Sequence, residues 1–180
     1  MSATLDLTPD VDFGAAQFRR AMGKFATGVT VITFDHEGRT AGMTANAFMS
    51  LSVDPPMILV SVRAQARFAQ SIACGDTFGV SFLAQHQEPL SRHFGGQPQA
   101  GLDDLFEHAG GVPVVRAALV QIAARVDAVH RGGDHLIYTA DVLALRESDG
   151  PPLLFFSGRY KQIVAHDPLQ CWRDCADHAD

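Results

Sequence analysis

The strongest constraint on this fold is a pair of long β-strand signatures separated by a double glycine. Ala118, Val120, Ile122, Ala124, Val126 and Ala128 occupy alternate positions, with Gln121, Arg125 and Asp127 between them. Side chains alternate across a strand, so this run predicts one apolar face against a core and one polar face. Gly132-Gly133 supplies a turn, and a second long strand is expected from about His135 to Leu145. Together they predict a β-hairpin.

Shorter signals surround it. Val29 to Phe34, Arg39 to Leu51, Met57 to Val62, Thr77 to Leu83 and Leu153 to Ser157 read as strands, the third as a buried one. Phe18, Ala21, Met22 and Phe25 stand at i, i+3, i+4 and i+7. That spacing predicts a helix beginning near Phe13, stopped by Gly28, with a core-facing apolar stripe. Short helices are expected over Arg67–Ala73 and Gln85–Phe94, and an excursion loop over Gln97–Gly111. Many antiparallel strands with few short helices predict an α+β, mainly antiparallel β-barrel rather than a parallel doubly wound sheet.

A chain of 180 residues suits one domain, because chains divide mainly beyond roughly 250–300 residues. We expect a leader over 1–12, a barrel domain over 13–165 and a tail over 166–180. Fourteen Lys and Arg against twenty Asp and Glu give a formal charge of −6, which argues against a nucleic-acid partner. Three scattered cysteines fit a reducing compartment. The amino terminus lacks a secretory pattern, and no run of about 18 apolar residues suggests a membrane span. The chain therefore reads as soluble and cytoplasmic. Cys171 and Cys175, flanked by His166 and His178, match no standard zinc spacing, so no metal is expected and they read as free thiols in the tail.

Neither a Gly-x-Gly-x-x-Gly turn nor a Walker loop is present, so any nucleotide is held without those devices. The informative stretch is Met43-Thr44-Ala45-Asn46-Ala47-Phe48-Met49-Ser50-Leu51-Ser52-Val53-Asp54-Pro55-Pro56. Small residues and hydroxyls interleave with apolar ones along it. Small side chains let a planar ligand approach the backbone, and hydroxyls with free N–H groups can bind phosphate. A barrel strand whose Thr and Ser satisfy their own neighbours has the same composition.

This stretch resembles the Thr-Ala-Asn-Ser-Phe…Ser-Leu-Asp-Pro-Pro signature of the short-chain flavin reductases that serve two-component flavin-dependent monooxygenases. Four further matches follow the family's order: Thr27-Gly28-Val29-Thr30-Val31-Ile32-Thr33, Ser91-Arg92-His93-Phe94-Gly95, Gly133-Asp134-His135, and Pro152 through Tyr160. The resemblance spans Phe18 to Tyr160. Two departures stand out, Ala47 where the family often has Ser and Ser81 where it often has Asn.

The resemblance implies an FMN-binding split β-barrel, a homodimer with flavin at the subunit interface, and NADH- or NADPH-dependent reduction of FMN or FAD. It further implies that reduced flavin passes to a separate monooxygenase. Thr27, Thr44, Ala45, Asn46 and Ala47 would line the flavin, with Ser50 and Leu51 on its ribityl and phosphate side. Ser61 and Val62 would give backbone contacts, and Arg67 and Phe68, opening a helix, would hold phosphate. Phe94 would close over the flavin or belong to the core. His135 is the implied catalytic-site residue, contacting or orienting the nicotinamide nucleotide, while Arg159 and Tyr160 would contact NAD(P)H through phosphate and by stacking. His135 hydrogen-bonded to Asp134 alone is the alternative. A non-catalytic flavin storage or sensor protein on the same barrel is the competing function. An enzyme resembling pyridoxine-phosphate oxidase would be expected to carry more basic phosphate ligands.

Overall fold

The structure, a computed structural model, describes residues 12–163. Most of the expected leader lies outside the described residues, as do His166, Cys171, Cys175 and His178. In chain order the elements are α1 (Ala15–Met22), β1 (Thr27–Gly28), β2 (Thr30–His36), β3 (Arg39–Ala45), β4 (Phe48–Val53), β5 (Pro56–Arg63) and α2 (Arg67–Ser71). They continue with β6 (Thr77–Phe82), α3 (Glu88–Phe94), β7 (Phe106–Ala109), β8 (Val112–Val115), β9 (Val120–Gly132), β10 (His135–Glu147), β11 (Leu154–Phe156) and β12 (Arg159–Lys161).

The predicted long hairpin is β9–β10, and it forms the spine of a seven-stranded antiparallel sheet in the order β3-β2-β6-β9-β10-β5-β4. Its register shifts between Thr139 and Ala140 and again between Val142 and Ala144. Such bulges bend a hairpin and add twist. The Ser61 amide of β5 donates to the Ala47 carbonyl at 3.0 Å, adding a rung to the β4–β5 ladder beyond Phe48 and Val60. β3 and β4 stand at opposite ends of the sheet order and are joined through Asn46-Ala47, which brings the two edges of the split barrel together. A three-stranded sheet, β1-β11-β12, and the β7–β8 hairpin complete the fold.

Phe68 of α2 plugs the barrel interior. Its ring meets Phe34 and Phe78 edge-on at 5.3 Å each and Tyr138 at 5.0 Å. Full burial of one such ring is worth about 2–3 kcal/mol. Burial also pushes the Tyr138 phenol above its ordinary range. A second cluster of Val29, Val31, Leu83, Val115, Ala118 and Leu153 joins the small sheet to the barrel.

Several expectations need correction. Helix α1 ends at Met22 with Gly23 as its cap, so Phe25 lies beyond it. Phe18, Met22 and Phe25 are 50%, 55% and 78% exposed, because no described element of this chain packs over them. The strand expected over 39–51 is two strands, broken at Asn46-Ala47, and a further strand, β12, follows Leu154–Phe156. β5 is half-buried: Ile58, Val60 and Val62 face inward, with Met57, Leu59 and Ser61 on the other side. The expected loop over 97–111 contains β7, which with β8 covers the face holding Gln121, leaving it buried. The Gln121 amide donates to the Glu107 carboxylate and, at 2.8 Å, to the Val115 carbonyl.

Candidate functional site

The break at Asn46-Ala47 organises the site. Asn46 is exposed and lines three adjoining cavities. The first, about 550 Å³, lies across the split between the end of β3 and the end of β5 and includes Thr44, Ala45, Ala47, Ser61, Val62 and His135. Six of the residues expected at one ligand therefore converge there with His135. Ala45, Ala47 and Ala66 keep the walls shallow, while the Asn46 amide and Ser61 hydroxyl supply polar groups. A flat polar ring fits such a slot, with small walls on its faces and donors at its edge.

His135 opens β10 opposite Arg63 of β5, with Leu136 facing Val62 and Ile137 facing Ser61. Gly133, at φ +66°, makes the tight turn before it, and the Ala64 amide donates to the Asp134 carbonyl at 3.0 Å. His135 Nδ1 is 2.7 Å from Asp134 Oδ1. That hydrogen bond, then the imidazole's charge, holds the Asp134 carboxyl below its ordinary range. Asp134 thus orients the ring, and His135 lines the cavity as well.

A second cavity, about 530 Å³, shares Thr44, Ala45 and Asn46 and adds Arg92, Arg159 and Tyr160. Here α3 docks on the β11–β12 hairpin. The Ser91 and Tyr160 hydroxyls are 2.8 Å apart, and the Thr44 hydroxyl donates to the Ser91 carbonyl at 2.7 Å. The Arg92 guanidinium lies over the Tyr160 ring, 4.9 Å from its centroid, and donates through Nε and Nη2 to Glu88 Oε1 at 2.9 and 2.6 Å. Glu88, Ser91, Arg92 and Arg63 were absent from the expected site. The Glu88–Arg92 pair, four apart on a helix, was the available signal.

Other expected residues sit elsewhere. Thr27 lies in a third, mainly apolar cavity of about 570 Å³ with Phe48, Phe82 and Leu153, where its hydroxyl is buried without a hydrogen-bond partner. Ser50 and Leu51 lie exposed on the edge strand β4, apart from these cavities. Phe68 is fully buried, so its side chain cannot reach a ligand. Arg67 opens a helix of five residues and lines a different cavity, at the start of β3, together with Phe94. Arg63, rather than Arg67, is the arginine that shares the slot with Ser61. Ser81 serves the packing instead, because its buried hydroxyl accepts from the Val115 amide at 2.9 Å.

Residues 22–164 match the family model described as a flavin reductase like domain. The chain belongs to the flavin reductase family. It is 40% identical over 161 residues to an NADH-dependent flavin reductase of a Rhodococcus species, covering 88% of this chain and 90% of that one. It is 36% identical over 148 residues to the reductase component of 4-hydroxyphenylacetate 3-monooxygenase of Thermus thermophilus, covering 82% and 95%. Among solved structures, the flavin reductase PheA2 in its native state superposes with a TM-score of 0.78 at 43% identity, over 85% of this chain and 100% of that one. The antiparallel split barrel and short helices are thus the fold of this flavin reductase family.

Proposed function

We propose that this protein is an NADH-dependent flavin reductase that supplies reduced flavin to a separate flavin-dependent monooxygenase. The observation that carries this reading is the sharing of Thr44, Ala45 and Asn46 by two adjoining cavities. One fits the flavin ring between β3 and β5. The other, under Arg92, Arg159 and Tyr160, suits a nicotinamide dinucleotide. Relatives named NADH-dependent reductases and a monooxygenase reductase component support the assignment.

A bound flavin would supply the hydride acceptor and a reduced nicotinamide the donor. The chain itself positions and shields. Thr44 to Ala47 present backbone edge and small side chains, so ring faces can approach closely. The Asn46 side-chain amide and the Ser61 hydroxyl offer donors to the flavin edge and favour charge that develops there, since the Ser61 backbone amide is committed to the Ala47 carbonyl. His135, oriented by Asp134, places an imidazole at the cavity mouth to bind or align the nicotinamide nucleotide. Arg159 offers a phosphate contact and Tyr160 a ring face.

We also propose a homodimer. Phe18 and Met22 on α1, Met49, Leu51 and Val53 on the edge strand β4, and Leu143 and Leu145 on β10 are exposed apolar side chains. Edge strands of that character call for a partner. Ser50 and Leu51 then belong to a flavin groove completed by a second copy. No helix among the described residues is long and apolar enough to cross a membrane. Use of NADH, made inside cells, is consistent with a cytoplasmic place. The expected division into leader (1–12), barrel domain (13–165) and tail (166–180) is kept as part of this proposal.

Anaerobic mixing of a small amount of protein with excess FMN or FAD and NADH tests the reductase assignment. Bleaching of the oxidised-flavin band through many equivalents per chain is expected. Binding without turnover would instead make the protein a flavin carrier or sensor.

A further inference from the structure

The slot between the ends of β3 and β5 has an uneven charge that the proposed chemistry leaves unused. Among the described residues no carboxylate lines it, and Arg63 is its one permanently charged side chain. The whole chain carries twenty Asp and Glu and a formal charge of −6, so a cavity with a cation and no acid differs from its surroundings.

Local structure fixes where that cation stands. Side chains alternate along β5, so Arg63 shares the face of Ser61, about 7 Å farther along the strand. His135 is its cross-strand partner. The Arg63 carbonyl accepts from the Ala66 amide at 2.9 Å, and the adjoining Ala64 amide donates to the Asp134 carbonyl at 3.0 Å. The arginine thus springs from an anchored strand end.

Its charge is also uncommitted. Among the described residues no salt bridge engages Arg63. Asp134, the acidic neighbour across the strand pair, turns its carboxylate to His135 Nδ1 at 2.7 Å. The His135 hydrogen bond is the largest cause of that carboxyl's lowered pKa, and the charge of Arg63 is the smallest. Arg92 in the adjoining cavity is the contrast, since its Nε and Nη2 both donate to Glu88 Oε1 and its charge is met there.

A neutral ring that accepts a hydride gains one negative charge until a proton follows. A fixed cation in a slot without carboxylates favours the charged product over the neutral reactant, and more so once the ring displaces water. We propose that Arg63 makes the slot bind the reduced, anionic flavin ring more tightly than the oxidised, neutral one. The ring is thereby drawn toward reduction and retained after it. The proposal rests on the placement of flavin in this slot set out above, and it concerns the ring rather than a phosphate.

Anaerobic titration of wild type, Arg63→Gln and Arg63→Lys with oxidised and with photochemically reduced FMN tests it, above neutral pH where the reduced ring is anionic. The FMN phosphate is the same in both states, so the ratio of the two affinities isolates the ring. Arg63 is exposed, and melting curves would verify folding. Wild type should bind reduced FMN about tenfold more tightly than oxidised FMN, which raises the potential of the bound two-electron couple by about 30 mV. Arg63→Gln should lose most of that ratio, chiefly by weakening the reduced form, and Arg63→Lys should keep most of it. Added salt should compress the ratio wherever the charge is present. Equal wild-type affinity for the two states would overturn the proposal while leaving the ring in its slot. So would a ratio unchanged in Arg63→Gln, including the case where both states weaken equally and Arg63 therefore serves the phosphate. A wild type that binds FMN in neither state would overturn the placement of the ring and the proposal with it.

Discussion

The hydroxyls of Ser91 and Tyr160 stand 2.8 Å apart, and this contact fixes α3 against the β11–β12 hairpin where Arg92 covers the Tyr160 ring. Ser91 is only 1% exposed, so its hydroxyl has little water to fall back on. Tyr160→Phe should cost about 1 kcal/mol of stability and, if the loss is felt equally in binding, raise the NADH KM about fivefold. Chemical denaturation and steady-state kinetics check the two effects. The flavin KM should move less.

His135 lines the slot between β3 and β5, and Asp134 holds it. His135→Ala should lower kcat/KM for NADH about tenfold, through KM, kcat or both. Wild-type kinetics in that variant would remove His135 from the site. The Asp134 carboxyl is held below its ordinary range, so its bond to His135 is present above the usual carboxylate pKa and is lost as pH falls through the lowered value. Asp134→Asn should therefore flatten the acid limb of the kcat/KM profile.

Gly79 tests the fold apart from the chemistry. A Cβ there would fall inside contact distance of the Pro113 carbonyl and the Thr33 hydroxyl, and 3.1 Å from Val114 Cγ1. A backbone carbonyl cannot swing away, so Gly79→Ala should destabilise by about 1–3 kcal/mol. Thermal melting should register the loss while the NADH KM of the folded fraction stays near wild type.

The Glu107 carboxylate clasps the β7–β8 hairpin to β9. The Gln121 amide lowers its pKa most, aided by the Ala117 amide and by Arg116, while desolvation opposes them. A lowered carboxylate stabilises above its ordinary pKa, and that contribution disappears as pH falls through the lowered value. Amide exchange in β7 and β8 should therefore accelerate on acidification. Glu107→Gln should weaken that acid dependence.

Local pattern carried much of this in the sequence. Alternation from Ala118 to Ala128 announced the β9–β10 spine, whereas Thr44-Ala45-Asn46-Ala47, whose composition an ordinary barrel strand shares, was marked as a slot by its place in the ordered motifs that resemble the family's. What depended on distant partners was harder to read. Phe68 looks like any residue opening a helix until Phe34, Phe78 and Tyr138 close around it. Arg63 and Arg67 are four apart, and only the turn into α2 decides which cavity each reaches. The stripe of Phe18 and Met22 has core periodicity but lies exposed in a single chain, since periodicity records an apolar face and not what covers it. The β7–β8 hairpin was hidden in a polar stretch, although Gly110-Gly111 supplied its turn.

The most direct test of the central claim is a crystal structure determined with oxidised flavin bound. The ring is expected across the split of the barrel, against Thr44 to Ala47 and Ser61, with His135 at its mouth. Flavin seated instead in the apolar cavity of Phe48, Phe82 and Leu153, or no flavin in the slot at saturating concentration, would contradict the account.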